Sequence, residues 1–153
     1  MRILVMSDSH GHPDRLRQVF EAEPTANWYL FLGDGLRDFE TVTGDYPDRH
    51  TMYVPGNCDL FSQMPLMREE TFGTKRFFFT HGHFYDVKNG LYRLACAARE
   101  RRADVVLFGH THRPFHCVDD GLVMVNPGSV GQDGAYAVLE LGRVGTAVTL
   151  CHL

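Results

Sequence analysis

The sequence predicts an α/β domain of two packed β-sheets with helices on their outer faces, and two observations predict it. Short apolar runs, several rich in β-branched residues, alternate with segments that repeat apolar residues at i, i+3 and i+4, as strands and amphipathic helices do. The last third of the chain instead places apolar runs on either side of glycine-containing turns, the pattern of antiparallel hairpins. At 153 residues the chain has the length of one domain with a substantial core, so we predict a single domain over residues 1–153.

Strands and helices alternate in the first half of the chain. Pro13 suits the first turn of a helix that runs to about Glu21 with an apolar stripe along one side. A second, short helix is predicted over 36–42. The tight turn at Gly73-Thr74 predicts a hairpin, so the sheets are not purely parallel. The predicted strands of this half are 2–6, 27–32, 52–54, 67–72 and 75–80.

The second half adds one helix and two further hairpins. The helix is predicted to begin at Asn89 or Gly90 and to end at Arg102, with basic residues in its last turn that complement the helix dipole. Asp119-Asp120-Gly121 and the segment 142–145 are hairpin turn signals, so we predict an antiparallel C-terminal third. The predicted strands are 104–108, 115–118, 122–125, 135–141 and 146–150.

Five of the predicted strands end in residues that can bind metal ions. His110 and His112 follow the strand 104–108 directly, and their i, i+2 spacing lets both imidazoles point into one cavity. In open α/β sheets the ligand crevice lies at the carboxyl ends of the strands, so we expect the five ends to converge on one site. The candidate metal ligands are Asp8, His10, Asp34, Asn57, His81, His110 and His112.

These ligand types predict a pair of metal ions. Seven oxygen and nitrogen donors are too many for one tetrahedral zinc ion. They suit two ions about 3.5–4 Å apart that share one carboxylate. A mixed shell of carboxylates and imidazoles favours Mn, Fe, Co, Ni or Zn over Ca or Mg. We therefore predict two divalent transition-metal ions per chain, with manganese as the first candidate.

Composition and charge narrow the class of partner. The net charge is −4 with histidines neutral, which offers no extended basic surface for nucleic acid. No secretory signal precedes the first strand, and no apolar run approaches the length of a membrane span, so we expect a cytoplasmic protein without a membrane partner. The four scattered cysteines predict reduced thiols rather than a structural zinc site.

The chain resembles the calcineurin-like metallophosphoesterases over nearly its whole length, and within them the small prokaryotic phosphodiesterases of the YfcE type. The motifs that carry the resemblance are Asp8-x-His10, Gly33-Asp34, Pro55-Gly56-Asn57-Cys58-Asp59, His81-Gly82-His83, Gly109-His110-Thr111-His112 and Asn126-Pro127-Gly128-Ser129. The resemblance implies a four-layer α/β/β/α sandwich of two mixed sheets with a binuclear site. It implies one ion held by Asp8, His10, Asp34 and His112, and the other by Asp34, Asn57, His81 and His110.

The activity that the resemblance implies is hydrolysis of a small phosphodiester by a hydroxide that bridges the two ions. The ions and Asn57 stabilise the charge on the phosphoryl oxygens. Cys58 stands where many members of the superfamily have a histidine that helps to protonate the leaving group. The general acid is therefore Cys58, His83 or a metal-bound water. The residues predicted to take part in catalysis are Asp34, Asn57, Cys58, His81 and His83.

Two other functions stay open. A retromer subunit that resembles these phosphodiesterases is a precedent for a protein-binding scaffold, although it lacks a full ligand set and every ligand position here is filled. Protein Ser/Thr phosphatases place arginines beside the Gly-Asp and Gly-Asn motifs, whereas here Pro55 precedes Gly56 and Arg37 is displaced. We expect Arg37 and Arg113 to be ordinary surface residues. A homo-oligomer formed through the C-terminal hairpins also stays open.

Overall fold

The computed structural model describes residues 1–153 and contains ten strands, four α-helices and one 3₁₀ turn at His83–Tyr85. The strands, numbered in chain order, are β1 (Arg2–Met6), β2 (Trp28–Phe31), β3 (Thr51–Tyr53), β4 (Met67–Phe72), β5 (Lys75–Thr80), β6 (Val105–Leu107), β7 (Phe115–Asp119), β8 (Leu122–Asn126), β9 (Ala135–Leu141) and β10 (Thr146–His152). The α-helices are α1 (Pro13–Ala22), α2 (Leu36–Asp45), α3 (Tyr92–Glu100) and α4 (Val130–Asp133).

The strands form two five-stranded mixed sheets. The first, sheet A, has the order β10-β9-β1-β2-β3, and the second, sheet B, has the order β4-β5-β6-β8-β7. In sheet A the pairs β1–β2 and β2–β3 are parallel, and β1–β9 and β9–β10 are antiparallel. In sheet B the inner pairs β5–β6 and β6–β8 are parallel, and the outer pairs β4–β5 and β7–β8 are antiparallel.

Three apolar cores hold these elements in four layers, as the sequence predicts. The outer core of sheet A packs Leu16 of α1 and Phe39 of α2 against side chains such as Phe31. The core between the sheets joins alternate side chains of β1 and β2 to those of β5 and β6. The outer core of sheet B packs Leu94 and Ala98 of α3 on the opposite face. Alternate residues of one strand point to opposite faces of its sheet, so each central strand supplies two of these cores.

The two C-terminal hairpins lie in different sheets, which local patterns do not predict. The hairpin β7–β8 joins sheet B because β8 pairs in parallel with β6. The hairpin β9–β10 joins sheet A because β9 pairs antiparallel with β1. The short helix α4 makes the transition between them, and the Ser129 hydroxyl accepts a hydrogen bond from the Gln132 N–H at its N-terminus.

Helix boundaries differ from the sequence prediction where the backbone is unusual. Helix α3 begins at Tyr92 rather than at Asn89 or Gly90, because Gly90 has φ +143°, outside the helical region. It ends before Arg102, which has φ +54°. Helix α2 continues beyond the predicted end to Asp45. No helix has the length and the apolar content that crossing a membrane requires.

Candidate metal centre

The predicted metal ligands follow the carboxyl ends of five strands that lie side by side in the two sheets. The parallel strands β1, β2 and β3 precede Asp8 and His10, Asp34, and Asn57 respectively. The parallel strands β5 and β6 precede His81, and His110 with His112. Because parallel strands end at the same edge of a sheet, these loops meet at one end of the sandwich.

A first group of donors consists of Asp8, His10 and His112. The Nε2 atom of His112 lies 3.1 Å from Asp8 Oδ1, and His10 Nε2 lies 3.6 Å from the same oxygen. The two imidazole Nε2 atoms are 3.3 Å apart. Asp8 is fully buried, and its Oδ1 atom has no hydrogen-bond partner.

A second group consists of Asp34, His81 and His110. His81 Nε2 lies 3.4 Å from Asp34 Oδ2 and 3.1 Å from His110 Nδ1. The other ring nitrogen of His81, Nδ1, lies 2.7 Å from the carbonyl oxygen of Leu32, to which it must donate. The proton of a neutral His81 is therefore on Nδ1, and the lone pair of Nε2 faces Asp34.

Asp34 lies between the two groups. Its Oδ2 atom is 3.8 Å from Nε2 of His10 in the first group, and 3.4 Å from Nε2 of His81 in the second. Its Oδ1 atom accepts a hydrogen bond of 2.7 Å from the Cys58 N–H. That N–H belongs to the peptide joining Asn57 to Cys58, so this contact places the Asn57 loop against Asp34.

The donor atoms fit metal ions better than they fit one another. Each group directs carboxylate oxygens and imidazole nitrogens at the same small volume, with all ligand atoms within 4.8 Å. A buried polar atom without a partner, such as Asp8 Oδ1, costs about 1–3 kcal/mol, and more when the group is charged. A divalent cation in each group would bind these lone pairs and balance the two buried carboxylates.

The pKa shifts show the same demand for positive charge. Burial works to raise the pKa of Asp34, but the hydrogen bond and charge of His81 and the Cys58 N–H outweigh it and hold that pKa well below its usual range. Burial works to lower the pKa of His81, but the carboxylates of Asp34 and Asp8 raise it overall. Burial and the charge of His81 lower the pKa of His110 to about 4. The two carboxylates thus favour positive charge at His81.

The backbone of these loops is unusual at the ligands themselves. Five of the ligand residues are non-glycine residues in the left-handed region, with φ between +45° and +67°: Asp8, His10, Asp34, His110 and His112. Such conformations cost on the order of 1–3 kcal/mol each and persist only where the surrounding structure enforces them. Their concentration at one end of the sandwich marks that end as the functional site.

Two aspartates outside the donor groups, Asp38 and Asp59, fix the loops that carry the candidate ligands. Asp59 accepts hydrogen bonds from the backbone N–H groups of Asp34, Gly35, Leu36 and Gly56, at 2.7–2.9 Å. Asp38 accepts from the Ser9 hydroxyl at 2.6 Å and from the Gly11 N–H at 2.8 Å. Both carboxylates therefore hold the loops that carry Asp8, His10 and Asp34.

Asn126 and Ser129 fix the site from the other side, a role that sequence reasoning missed. The Asn126 side-chain amide donates to the carbonyl of Gly109 at 2.9 Å and to the Thr111 hydroxyl at 3.0 Å. The Ser129 hydroxyl donates to the backbone carbonyl of Asp8 at 2.8 Å. The signal was present in the Asn-Pro-Gly-Ser segment, but its contacts lie more than ten residues away along the chain and leave no local pattern.

The two candidate general acids lie beside the second donor group. Burial and the nearby Asp34 carboxylate raise the pKa of the exposed Cys58 thiol, so this side chain keeps its proton near neutral pH. The His83 ring centroid lies 5.5 Å from that of His81, and its Nδ1 atom is buried without a partner. Burial and the charge of His81 lower the pKa of His83, which disfavours the protonated form that a general acid requires.

An open cavity of about 590 Å³ adjoins the donors on the side of α2. It is lined by metal-ligand candidates and by residues with no such role, among them His10, Asp34, Arg37, Cys58, Leu60 and Phe61. Arg113 lies elsewhere, in a separate cavity of about 580 Å³ with Lys88 and Thr111. The structure thus brings Arg37, but not Arg113, to the same cavity as Asp34.

Comparisons with known proteins agree with this geometry. A model of the calcineurin-like phosphoesterase superfamily domain matches residues 1–144. The probable metallophosphoesterase YsnB of Bacillus subtilis is 32% identical over 152 residues, covering 92% of this chain and 85% of YsnB. Phosphodiesterase YfcE of Escherichia coli is 26% identical over 168 residues, covering 92% and 88%.

A solved structure and a further relative complete the comparison. The crystal structure of a predicted phosphoesterase from Streptococcus pneumoniae superposes with a TM-score of 0.86 at 26% identity, over 99% of this chain and 88% of that one. Vacuolar protein sorting-associated protein 29 of Schizosaccharomyces pombe is 37% identical over 76 residues, covering 50% of this chain and 41% of that protein.

Proposed function

We propose that this chain, which belongs to the calcineurin-like phosphoesterase superfamily, is a phosphodiesterase that works with two divalent ions. Its relatives named above include a probable metallophosphoesterase and a phosphodiesterase. The observation that carries the proposal is the position of Asp34 between two donor groups, with its Oδ2 atom within 4 Å of His10 Nε2 and of His81 Nε2. One carboxylate in that position can serve both ions.

We assign the ligands to the two ions as the motifs suggest. Asp8, His10, Asp34 and His112 would hold one ion, and Asp34, Asn57, His81 and His110 the other. Two such ions would supply a nucleophile at neutral pH by lowering the pKa of a water, and would neutralise charge on the phosphoryl oxygens. Manganese is the first metal to test, because a mixed oxygen and nitrogen shell suits it and its neighbours in the first transition row.

The chain's own residues prepare the site for a phosphodiester. The Leu32 carbonyl fixes the His81 tautomer, so that Nε2 is available as a ligand. The Cys58 backbone N–H contacts Asp34, which places the thiol beside the site as a candidate, although weak, proton donor to the leaving oxygen. A phosphodiester carries one negative charge fewer than a monoester dianion, and a cavity with one arginine suits the smaller charge.

Metal analysis and turnover of bis(p-nitrophenyl) phosphate test the proposal together. The purified protein loaded with manganese should hold two ions per chain and hydrolyse the diester. Chelation should abolish turnover, and added Mn²⁺ should restore it. A protein that holds two ions but hydrolyses no diester with Mn, Fe, Co, Ni or Zn would contradict the assignment as a phosphodiesterase.

A second function, a protein-binding scaffold on the same fold, is favoured by the similarity to vacuolar protein sorting-associated protein 29. The two proposals differ in metal content. A scaffold has no need of two tightly held ions, whereas all seven residues that we propose as ligands are present in this chain. Fewer than one tightly bound ion per chain, together with absent turnover, would favour the scaffold.

We further propose that the protein works in the cytoplasm, in keeping with its four free cysteines. Free thiols are typical of a reducing compartment. Localising a tagged chain by fractionation tests this directly.

A further inference from the structure

Two apolar side chains lie in the open beside the metal centre. Leu60 is 73% exposed and Phe61 is 95% exposed, and both line the cavity that also contains His10, Asp34 and Cys58. Exposing a phenylalanine gives up the free energy that its burial would contribute to folding. Neither side chain contributes to an apolar core of the fold.

Phe61 is also held in an unfavourable backbone conformation. Its φ is +68°, in the left-handed region where bulky side chains are rare. The structure has nine non-glycine residues with positive φ, and five of them are candidate metal ligands. Phe61 therefore shares with those ligands a strained backbone at the rim of the same site, but has no packing role that explains it.

The lining of the cavity carries the carboxylates of Asp34, Asp38, Glu40 and Asp59, so the positive charge that an anionic ligand needs would come from Arg37 and from the metal ions. Asp38 and Asp59 line the cavity, but their carboxylates accept hydrogen bonds from the Ser9 hydroxyl and from backbone N–H groups. Arg37 is the only arginine or lysine in the lining, and it takes part in none of the salt bridges. The volume of about 590 Å³ lies within the range of about 300–1,000 Å³ that is usual for small-molecule sites.

We propose that Leu60 and Phe61 bind a planar aromatic group of nucleobase size on one ester arm of the phosphodiester substrate. The phosphate lies at the metal centre, and the aromatic arm extends along the cavity and packs on the Phe61 ring. This inference rests on the proposed function and deepens it by naming a class of substrate, namely a diester of a nucleoside. An exposed aromatic ring can stack on any base without making hydrogen bonds to the base edge. We therefore expect diesters with a base to bind better than diesters without one, with little preference among bases.

Calorimetric binding to the manganese-loaded protein tests the inference with a readout other than turnover, and product analysis after each titration checks that the diester is intact. Adenosine 5′-methyl phosphate and ribose 5-methyl phosphate carry the same methyl diester, and the anomeric carbon bears adenine in the first and a hydroxyl in the second. Base stacking on an aromatic side chain is worth roughly a 5- to 150-fold gain in affinity. The wild type should therefore bind the adenosine diester at least about fivefold more tightly than the ribose diester.

Two variants of Phe61 remove the ring while suiting the backbone. Phe61→Gly and Phe61→Asn both tolerate φ near +68°, so their melting temperatures should equal or exceed that of the wild type. Both variants should reduce the ratio of the two affinities to about one, mainly by weakening the binding of the adenosine diester. The matched control is Phe84→Ala, because Phe84 is another exposed phenylalanine, 56% exposed, and lies outside the cavity. That variant should keep the wild-type ratio.

The outcomes separate this inference from the proposed function. Equal binding of both diesters by the wild type, or a ratio unchanged in Phe61→Gly and Phe61→Asn, would overturn the aromatic site and leave the phosphodiesterase proposal standing. Failure of a protein with two bound ions to bind either diester would overturn both. A preference for the adenosine diester that both Phe61 variants lose would support the inference.

Discussion

The two donor groups of the metal centre differ in exposure. In the group of Asp8, His10 and His112, the His10 and His112 side chains are 37% and 33% exposed. In the group of Asp34, His81 and His110, the His81 side chain is 0% exposed. Each group also has one buried carboxylate, Asp8 or Asp34, and one partly buried histidine, so the difference lies mainly between His10 and His81. A buried, preorganised set of donors loses less freedom on binding and is shielded from competing water. We therefore expect the second group to hold its ion more tightly and the first to exchange its ion more readily.

Loss of the Asp34 carboxylate should have the largest effect, because we propose that it binds the ions of both groups. Asp34→Asn should lower kcat/KM by at least about 10³-fold and reduce the metal content of both groups. Asp14→Asn, which changes an exposed carboxylate on α1, is the matched control and should change neither quantity. Elemental analysis after gel filtration measures the content. Two ions per chain in Asp34→Asn would show that the carboxylate is not shared.

Replacing one candidate ligand in each group should show which group holds the slowly exchanging ion. His112→Gln should release the exposed ion and keep the slowly exchanging one, whereas His81→Gln should do the reverse. Either change should lower turnover by about 10²-fold or more, since each removes a direct ligand. The measurement is the rate at which a chromophoric chelator takes up manganese, with the wild type expected to show two phases. A single phase in the wild type, or the same phase lost in both variants, would contradict the comparison.

Cys58 lies beside the group of Asp34, His81 and His110. Replacing it should change how fast the leaving group departs rather than how many ions are bound. A thiol with a raised pKa is a weak proton donor, and general acid assistance is worth about 10²–10⁴-fold. Cys58→His should raise kcat/KM for diesters with alkoxide leaving groups more than for nitrophenyl diesters. The dependence of kcat/KM on leaving-group pKa measures this, with metal content as the control. A flat dependence in the wild type, with chemistry shown to limit the rate, would mean that an effective acid is already present.

The smallest effect concerns the stability of the metal-free protein. The pKa of His81 is raised above 6.5, so its contribution to stability is complete below pH 6.5 and is lost as the pH rises through the raised value. The pKa of His110 is lowered from 6.5 to about 4, so its contribution is present above pH 6.5 and is lost as the pH falls toward 4. The melting temperature should therefore fall on both sides of pH 6.5, by about 2–4 °C for each kcal/mol.

Variants and metal separate the two sides of this pH profile. His81→Gln should remove the fall at higher pH, because no proton is then bound at that position in the folded state. Saturating Mn²⁺ should remove it as well, because an ion replaces the proton on His81 Nε2. Thermal unfolding from pH 4 to 9 with and without metal measures both effects. A metal-free melting temperature that rises steadily above pH 6.5 would contradict the assignment to His81.

The sequence predicts the elements and the donors of this molecule better than it predicts their assembly. A strand end that carries Asp34 or His110 is a local pattern, so it can be recognised from its own segment of the sequence. The placement of β7–β8 in sheet B and β9–β10 in sheet A depends on pairing with distant strands, which no local pattern records. The α-helical turn of α4 and the 3₁₀ turn at His83–Tyr85 are too short to leave a period.

The parts of the site that escaped prediction depend on long-range hydrogen bonds and on backbone conformation. Asn126 contacts Gly109 and Thr111 only after the chain has folded back. The positive φ values of Asp8 and Phe61 are invisible in sequence, since only glycine signals such a conformation by its identity. The division of the ligands between two ions and the extent of the domain, residues 1–153, stay predictions.

Anomalous diffraction from crystals of the manganese-loaded protein would locate each ion relative to the residues that hold it. We expect two anomalous peaks per chain, about 3.5–4 Å apart, with Asp34 in contact with both. The stronger peak should lie at His81 and His110, and the weaker, more readily chelated peak at His10 and His112. One peak per chain, or two peaks of which Asp34 touches only one, would contradict this arrangement.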